Sequence, residues 1–181
     1  MARKYQFVYV WLFLFFLSTL PSVCAEPESP VAHPVSAEEA GKMRADFVEY
    51  AQCFLGRPYR SGGTGPDSFD CSGFVYAMSR ESIGIQLPRT SRAIFNRMTV
   101  IEKEELEPGD LVFFKTTSTG SISHVGIFIG DGNFIHAASD GPNTGVIITS
   151  LSERFWKNTY FASGRYIASA RTAPLDEAEK K

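Results

Sequence analysis

The stretch Phe69-Asp70-Cys71-Ser72-Gly73-Phe74-Val75-Tyr76 constrains this chain more than any other. A glycine-rich polar run, Ser61 to Ser68, ends at it. An apolar helical pattern follows, with Phe74, Ala77 and Met78 at spacings of three and four. Asp70 and Ser72 are both good helix-capping types, so a helix is predicted to start within a residue or so of Cys71. Unpaired backbone N–H groups and the positive end of the helix dipole would favour a thiolate at that place. Cys71 is therefore a candidate nucleophile. A lone cysteine there can equally be a small apolar residue packed under a helix. His124 and His136, downstream, tip the balance.

The chain before the domain reads as a targeting segment and a tether. Arg3 and Lys4 form a positive start, Phe7 to Leu20 is an apolar run, and Val23-Cys24-Ala25 offers small residues for cleavage before Glu26. The run spans about 14 residues, short of the ~20 that cross a bilayer comfortably. Residues 1–25 are thus expected to be a signal peptide, and the protein is expected to be exported. Lipidation of Cys24, or retention of the segment as an anchor, are the two routes by which the chain would stay attached to a membrane. Glu26 to Pro34 is proline-rich and aperiodic, a flexible linker over 26–35 in which His33 is read as inert.

Removing Met1–Ala25 takes away two basic residues and no acid, leaving 16 basic against 20 acidic residues, a net of −4. With no arginine-rich run either, nucleic acid is excluded as the main partner. The cysteines then remaining are Cys53 and Cys71. One pair is no disulfide framework, so Cys53 is expected as a buried thiol on the first helix and Cys71 as a free one.

From Ser36 to about Ala170 some 135 residues remain, enough for one compact domain. Ser36 with Glu39 three residues on is a capping box. The helix it opens carries Met43, Phe47, Val48, Ala51 and Leu55 on one stripe, and Gly56 and Pro58 end it. Gly84 stops the Cys71 helix, and Thr90 or Ser91 caps a short helix through Ile94 and Phe95. Pro108-Gly109-Asp110 is a turn, and Leu111 to Phe114 a strand buried on both faces. Val125–Ile129 and Phe134–Ala138 are predicted strands around Gly130-Asp131-Gly132, a hairpin signal. Two more strands follow, Val146–Thr149 and Tyr160–Ala168, with Ser152 capping a helical turn around Phe155 and Trp156. Helices first and hairpin-linked strands later give an α+β domain over 36–170, with a mainly antiparallel sheet of about five to six strands. The tail, residues 171–181, is charged and expected to fray.

A thiol nucleophile needs a base to take its proton and a polar group to orient that base. The two histidines of the folded part lie on the two strands of one hairpin. Each by itself is more often structural. With a helix-start cysteine they become nucleophile, base and orienter, the arrangement of papain-type cysteine peptidases. Register decides whether they cooperate. A two-residue turn at Asp131-Gly132 would put them on opposite faces. A three-residue loop, or a bulge of the same effect, pairs Gly126 with His136 and makes His124 its diagonal neighbour. The second arrangement is predicted.

Gly56-Arg57-Pro58-Tyr59-Arg60-Ser61-Gly62-Gly63, Phe69-Asp70-Cys71-Ser72-Gly73, Leu87-Pro88-Arg89-Thr90, Pro108-Gly109-Asp110-Leu111-Val112-Phe113-Phe114, His124-Val125-Gly126-Ile127 and Phe134-Ile135-His136-Ala137 occur in this order. In these motifs the chain resembles the NlpC/P60 family of cell-wall peptidases, from about Phe47 to Tyr166. The resemblance implies a papain-like fold and hydrolysis of amide bonds in peptidoglycan stem peptides, at the D-glutamyl–diamino acid bond or the cross-link. It implies Cys71 as nucleophile, His124 as base and His136 as third residue, and places Tyr59 by the oxyanion site. Tyr59, Ser72 and Arg89 are the expected oxyanion or substrate-binding residues. Arg89 has two readings, a clamp on a substrate carboxylate or a brace paired with a residue such as Asp70, which is itself read as a cap. No metal or cofactor is expected. Two other functions fit the same fold: an amidase or acyltransferase on another substrate, and a silent wall-binding protein. The complete Cys71, His124 and His136 set argues against the last.

Overall fold

The computed structural model describes residues 36–141 and 143–167, all within the unit Ala32–Lys181. The expected signal peptide, Cys24, the linker with His33, and the charged tail lie outside the described residues.

Helix α1, Ala37–Gln52, starts where Ser36 accepts the Glu39 amide at 3.2 Å. It buries Ala40, Phe47 and Ala51, with Met43 and Val48 packed at the margin. Two expectations fail at its end. Cys53 is exposed rather than buried, and Leu55 is 47% exposed. The helix stops at Gln52, and the chain turns so that the Gly56 amide donates to the Val146 carbonyl at 2.8 Å. Beyond the last turn a helical period no longer says which way a side chain faces.

Helix α2, Cys71–Ile83, is capped by Asp70 and closed by Gly84 in the left-handed conformation (φ 69°). Helix α3, Ser91–Phe95, is capped by Thr90. The sheet strands are β1 (Thr99–Ile101), β2 (Leu111–Phe114), β3 (His124–Gly130), β4 (Asn133–Ala138), β5 (Gly145–Ser150) and β6 (Tyr160–Arg165). Their order is β1-β6-β2-β3-β4-β5, and every pairing is antiparallel. Strand β1 and the 3-10 turn at Lys103–Glu105 carry no period long enough to foresee. Helix α4, Arg154–Thr159, follows Glu153 as its N-cap, not Ser152.

Alternation along the strands builds two cores. Leu111, Phe113, Val125, Ile127, Ile135 and Ala137 meet the buried faces of α1 and α2, with Phe47, Phe74 and Met78. Val112, Phe114, Phe128 and Phe134 face the other way, onto Leu151 and Trp156. Asp110, fully buried at the foot of β2, accepts Arg44 of α1 at 3.0 Å and Arg165 of β6 at 2.8 Å, which ties the helix layer to the sheet.

The β3–β4 turn combines the two geometries weighed from the sequence. It is a two-residue turn, with positive φ at Asp131 (51°) and Gly132 (70°) and Gly130 opposite Asn133. A bulge between Phe128 and Gly130 then shifts the register, so Ile127 pairs with Ile135. Gly126 therefore stands across from His136. A Cβ at Gly126 would lie 2.6 Å from the Phe134 ring and 3.2 Å from the His136 Cβ, so only glycine leaves room there.

Candidate active site

Cys71 is the first residue of α2, and what holds it there is a loop clasped to the helix start. The Asp70 carboxylate accepts the amides of Gly73 at 2.7 Å and Gly62 at 2.8 Å. Arg89, just before α3, grips the same carboxylate with both terminal nitrogens, at 2.8 and 2.6 Å, and reaches Ser72 Oγ at 3.0 Å and the Gly63 carbonyl at 3.2 Å. A Cβ at Gly73 would lie 1.9 Å from the Gly63 oxygen, so a side chain there would lift the glycine-rich loop off the helix. Burial opposes ionisation of Asp70, but Arg89 and the amides of Gly73 and Gly62 outweigh it and hold the carboxyl below its ordinary value. Of the two readings open for Arg89, its contacts are those of the brace. The Ser72 hydroxyl is likewise occupied, between Asp70 and Arg89.

The Cys71 sulfur lies 3.8 Å from the Ser123 carbonyl and takes an amide contact from Val125, so it touches the β3 backbone on either side of His124. The β3–β4 pairing does not reach this point, its last partners being Ile127 and Ile135, so Cys71 meets the start of β3. One expectation is reversed here. The helix terminus was read as favouring a thiolate, but burial pushes the Cys71 thiol up and the Asp70 charge adds to it. The amides of Val125, Ser72 and Cys71 pull the other way without prevailing. At rest the Cys71 side chain is a protonated thiol.

His124 pairs with Phe114 across β2–β3, and His136 lies two residues from Phe134, so both imidazoles occupy the sheet face away from α1 and α2. His124 Nε2 lies 2.9 Å from His136 Nδ1, and His136 Nε2 lies 3.0 Å from Thr149 Oγ1. The direction of this chain follows from the nitrogen that is left to accept a proton. If His124 Nδ1 is to accept a proton, its Nε2 must carry the hydrogen donated to His136 Nδ1. His136 Nε2 then donates to the Thr149 hydroxyl. Burial lowers the His124 pKa to about 4, and burial together with the neighbouring imidazole lowers that of His136 well below its usual value. Both are neutral near pH 7, as a general base must be.

Tyr59 packs at the edge of the same core as Cys71. Burial raises its pKa, the Asp70 and Asp140 charges add to the effect and Arg89 opposes it without prevailing, so its hydroxyl keeps the proton it would donate.

Sequence reading missed two residues of the site. Thr149 is a diagonal neighbour of His136, because β4 and β5 pair Phe134 with Thr149 and His136 with Ile147. Trp156 on α4 packs against both histidines, with ring centroids 5.0 and 4.7 Å away. In the sequence neither differs from an ordinary strand or amphipathic residue. Among the described residues no cluster of His, Cys, Asp and Glu is arranged to hold a metal ion.

Comparison with known proteins agrees with this architecture. The family model described as NlpC/P60 matches residues 56–165. The murein DD-endopeptidase MepH of Escherichia coli K12 is 38% identical over 137 residues, which are 74% of this chain and 49% of MepH. The probable endopeptidase NlpC of the same organism is 41% identical over 121 residues, 67% of this chain and 77% of that protein. The chain thus spans about half the length of one relative and most of the other. The crystal structure of an NlpC/P60 family protein from Bacillus cereus superposes with a TM-score of 0.63 at 36% identity, over 69% of this chain and 40% of that one. A papain-like layer order, a cysteine opening α2, a histidine pair on one hairpin and a family match across most of the domain lead to one assignment: this chain belongs to the NlpC/P60 family.

Proposed function

We propose that this protein is an exported peptidoglycan endopeptidase that hydrolyses amide bonds of stem peptides by a Cys71–His124–His136 mechanism. The observation that carries the reading is the hydrogen-bonded chain from Thr149 through His136 to His124, which ends beside the backbone that touches the Cys71 sulfur. A silent binding protein has no use for two buried, neutral imidazoles aligned in this way.

The chemistry follows from the resting protonation states. As the Cys71 sulfur attacks the amide carbon, its proton passes to His124 Nδ1. The carbonyl oxygen becomes an oxyanion met by the amides at the start of α2 and by the Tyr59 hydroxyl. One such donor is typically worth about 3 kcal/mol of barrier. His136, held by Thr149, keeps His124 oriented and supports the imidazolium as it forms. His124 then returns the proton to the leaving amine, and water, deprotonated by the same nitrogen, hydrolyses the thioester. Arg89 acts through the Asp70 clasp, which keeps the glycine-rich loop and the oxyanion donors in place.

The relative named a DD-endopeptidase points to the cross-link between stems as the bond cut. Digestion of purified cross-linked wall fragments, with the products weighed by mass spectrometry, tests this. Cross-linked dimers should fall to monomers without loss of sugar. Intact fragments after incubation with the wild type would refute the reading.

A further inference from the structure

Three aromatic rings enclose the histidine pair. Phe134 stacks on His136 at 4.6 Å and 26°, and Phe114 flanks His124 at 6.0 Å and 55°. Both come from the strands that carry or pair with the histidines. The third ring does not. Trp156 belongs to α4, a six-residue helix that buries none of its residues, and it alone among these rings touches both imidazoles from outside the sheet. It also borders a groove of about 840 Å³, shared with Thr149, Ile148 and Phe155.

We propose that Trp156 is a positioning residue for catalysis: it closes the solvent side of the histidine pair and holds the two imidazoles crossed. The proposal rests on the reading of Cys71, His124 and His136 as the catalytic set. The His124–His136 hydrogen bond fixes one contact but not the ring planes, which stand at 84° to each other. Torsion about the bond to an imidazole is broad, so packing has to choose the plane. Phe134 and Phe114 supply two walls and Trp156 the remaining one.

Without the indole, the groove, which Thr149 already lines, would extend to the histidines. Water would then compete for the hydrogen bonds of both rings and solvate a charged imidazole at rest. Desolvation is the main cause that keeps His124 and His136 neutral, so the seal and the protonation state are linked. No other charged group takes part in that balance. The titratable neighbours of the pair are each other and Cys71, across the β3 backbone. β5 presents neutral Thr149 and Ile147, and Tyr160 of β6 is one ring further off, against Phe114. Glu153, Arg154 and Lys157, on and beside α4, are exposed.

Phe155 provides an internal control. It is 54% exposed and packs on Trp156 at 5.0 Å, yet has no ring contact with either histidine. The test compares Trp156→Ala, Trp156→Phe and Phe155→Ala by histidine-resolved NMR titration and by kinetics on wall fragments. Trp156→Ala should move the His124 titration up by at least about one pH unit, toward the ordinary 6.5. Its kcat should fall roughly tenfold to a hundredfold with KM nearly constant, because orientation rather than binding is lost. Trp156→Phe should recover most of both, and Phe155→Ala should change neither. If the alanine variant does not fold, Trp156→Leu takes its place in the same comparison. Wild-type titration and kcat in a folded Trp156→Ala or Trp156→Leu protein would overturn the proposal, as would an equal shift in Phe155→Ala. A titration that moves as expected in a protein whose wild type cleaves no wall fragment would uphold Trp156 and overturn the function proposed above.

Discussion

His124 and His136 lie on neighbouring strands with Nε2 of the first 2.9 Å from Nδ1 of the second, both rings buried, and their planes at 84°. Only one of the four ring nitrogens, His124 Nδ1, is left without a partner inside this chain of contacts. The single open nitrogen is the one that can take a proton from a nucleophile.

The pair should set an unusual acid limit. With the His124 pKa lowered to about 4, the base stays unprotonated down to about that pH. The acid limb of kcat/KM should therefore lie well below the ordinary imidazole value of about 6.5. A limb between pH 6 and 7 would show that the imidazoles are solvated in the working enzyme.

Stability should follow the same linkage. The unfolded chain binds a proton at His124 near pH 6.5 and the folded one only near 4. The unfolded state therefore binds more protons between these values. Stability is complete above about 6.5 and lost as pH falls toward 4. At pH 5 the cost is about 2 kcal/mol for His124, with His136 acting in the same direction. Urea denaturation at pH 7 and pH 5 measures it, and His124→Asn should flatten the difference.

Thr149→Val keeps the shape of the side chain and removes the oxygen that His136 Nε2 contacts. A buried N–H is then left unpaired, at a cost of about 1–3 kcal/mol. We expect kcat to fall with it, since His136 loses its preferred tautomer. Unchanged stability and turnover would mean that another group holds His136.

The two cysteines should separate cleanly. Cys71→Ala should abolish hydrolysis while the fold persists, because the sulfur sits at a helix start rather than deep in the core. Cys53 is exposed, so Cys53→Ala should change stability by no more than about 0.5 kcal/mol and leave turnover intact. A dead but folded Cys53→Ala protein beside an active Cys71→Ala one would reverse the assignment of the nucleophile. An alkylating reagent should abolish the rate and a chelator leave it unchanged.

Arg89→Ala decides between brace and clamp. It removes a bidentate pair from a largely buried Asp70, so the midpoint of unfolding should drop by an amount worth on the order of 2 kcal/mol. A variant of wild-type stability whose KM alone rises would instead make Arg89 a substrate ligand.

Features governed by near neighbours were legible in the sequence. Ser36 caps α1 as expected, Asp70 and Thr90 are the members of the candidate pairs that cap α2 and α3, and Gly84 closes α2, because capping is settled within three or four residues; only the cap of α4 fell one residue away, at Glu153 instead of Ser152. The alternation of β3 and β4 and the glycine at 126 favoured a register with both histidines on one face, which the protein reaches by a two-residue turn and a bulge rather than by a three-residue loop. Features that depend on what covers what were not. Cys53 faces solvent because it follows buried Ala51 by two residues, which puts it on the opposite side of α1. The Cys71 thiol is raised because burial and Asp70 outweigh the helix terminus, a balance of environment that residue types do not state. Thr149 and Trp156 join the site only through strand register and the return of α4 over the sheet. Residue types and their spacing were enough to mark Cys71, His124 and His136 as the candidates for the chemistry. The tertiary structure decided which of them are dry, which are paired, and therefore where the protons sit.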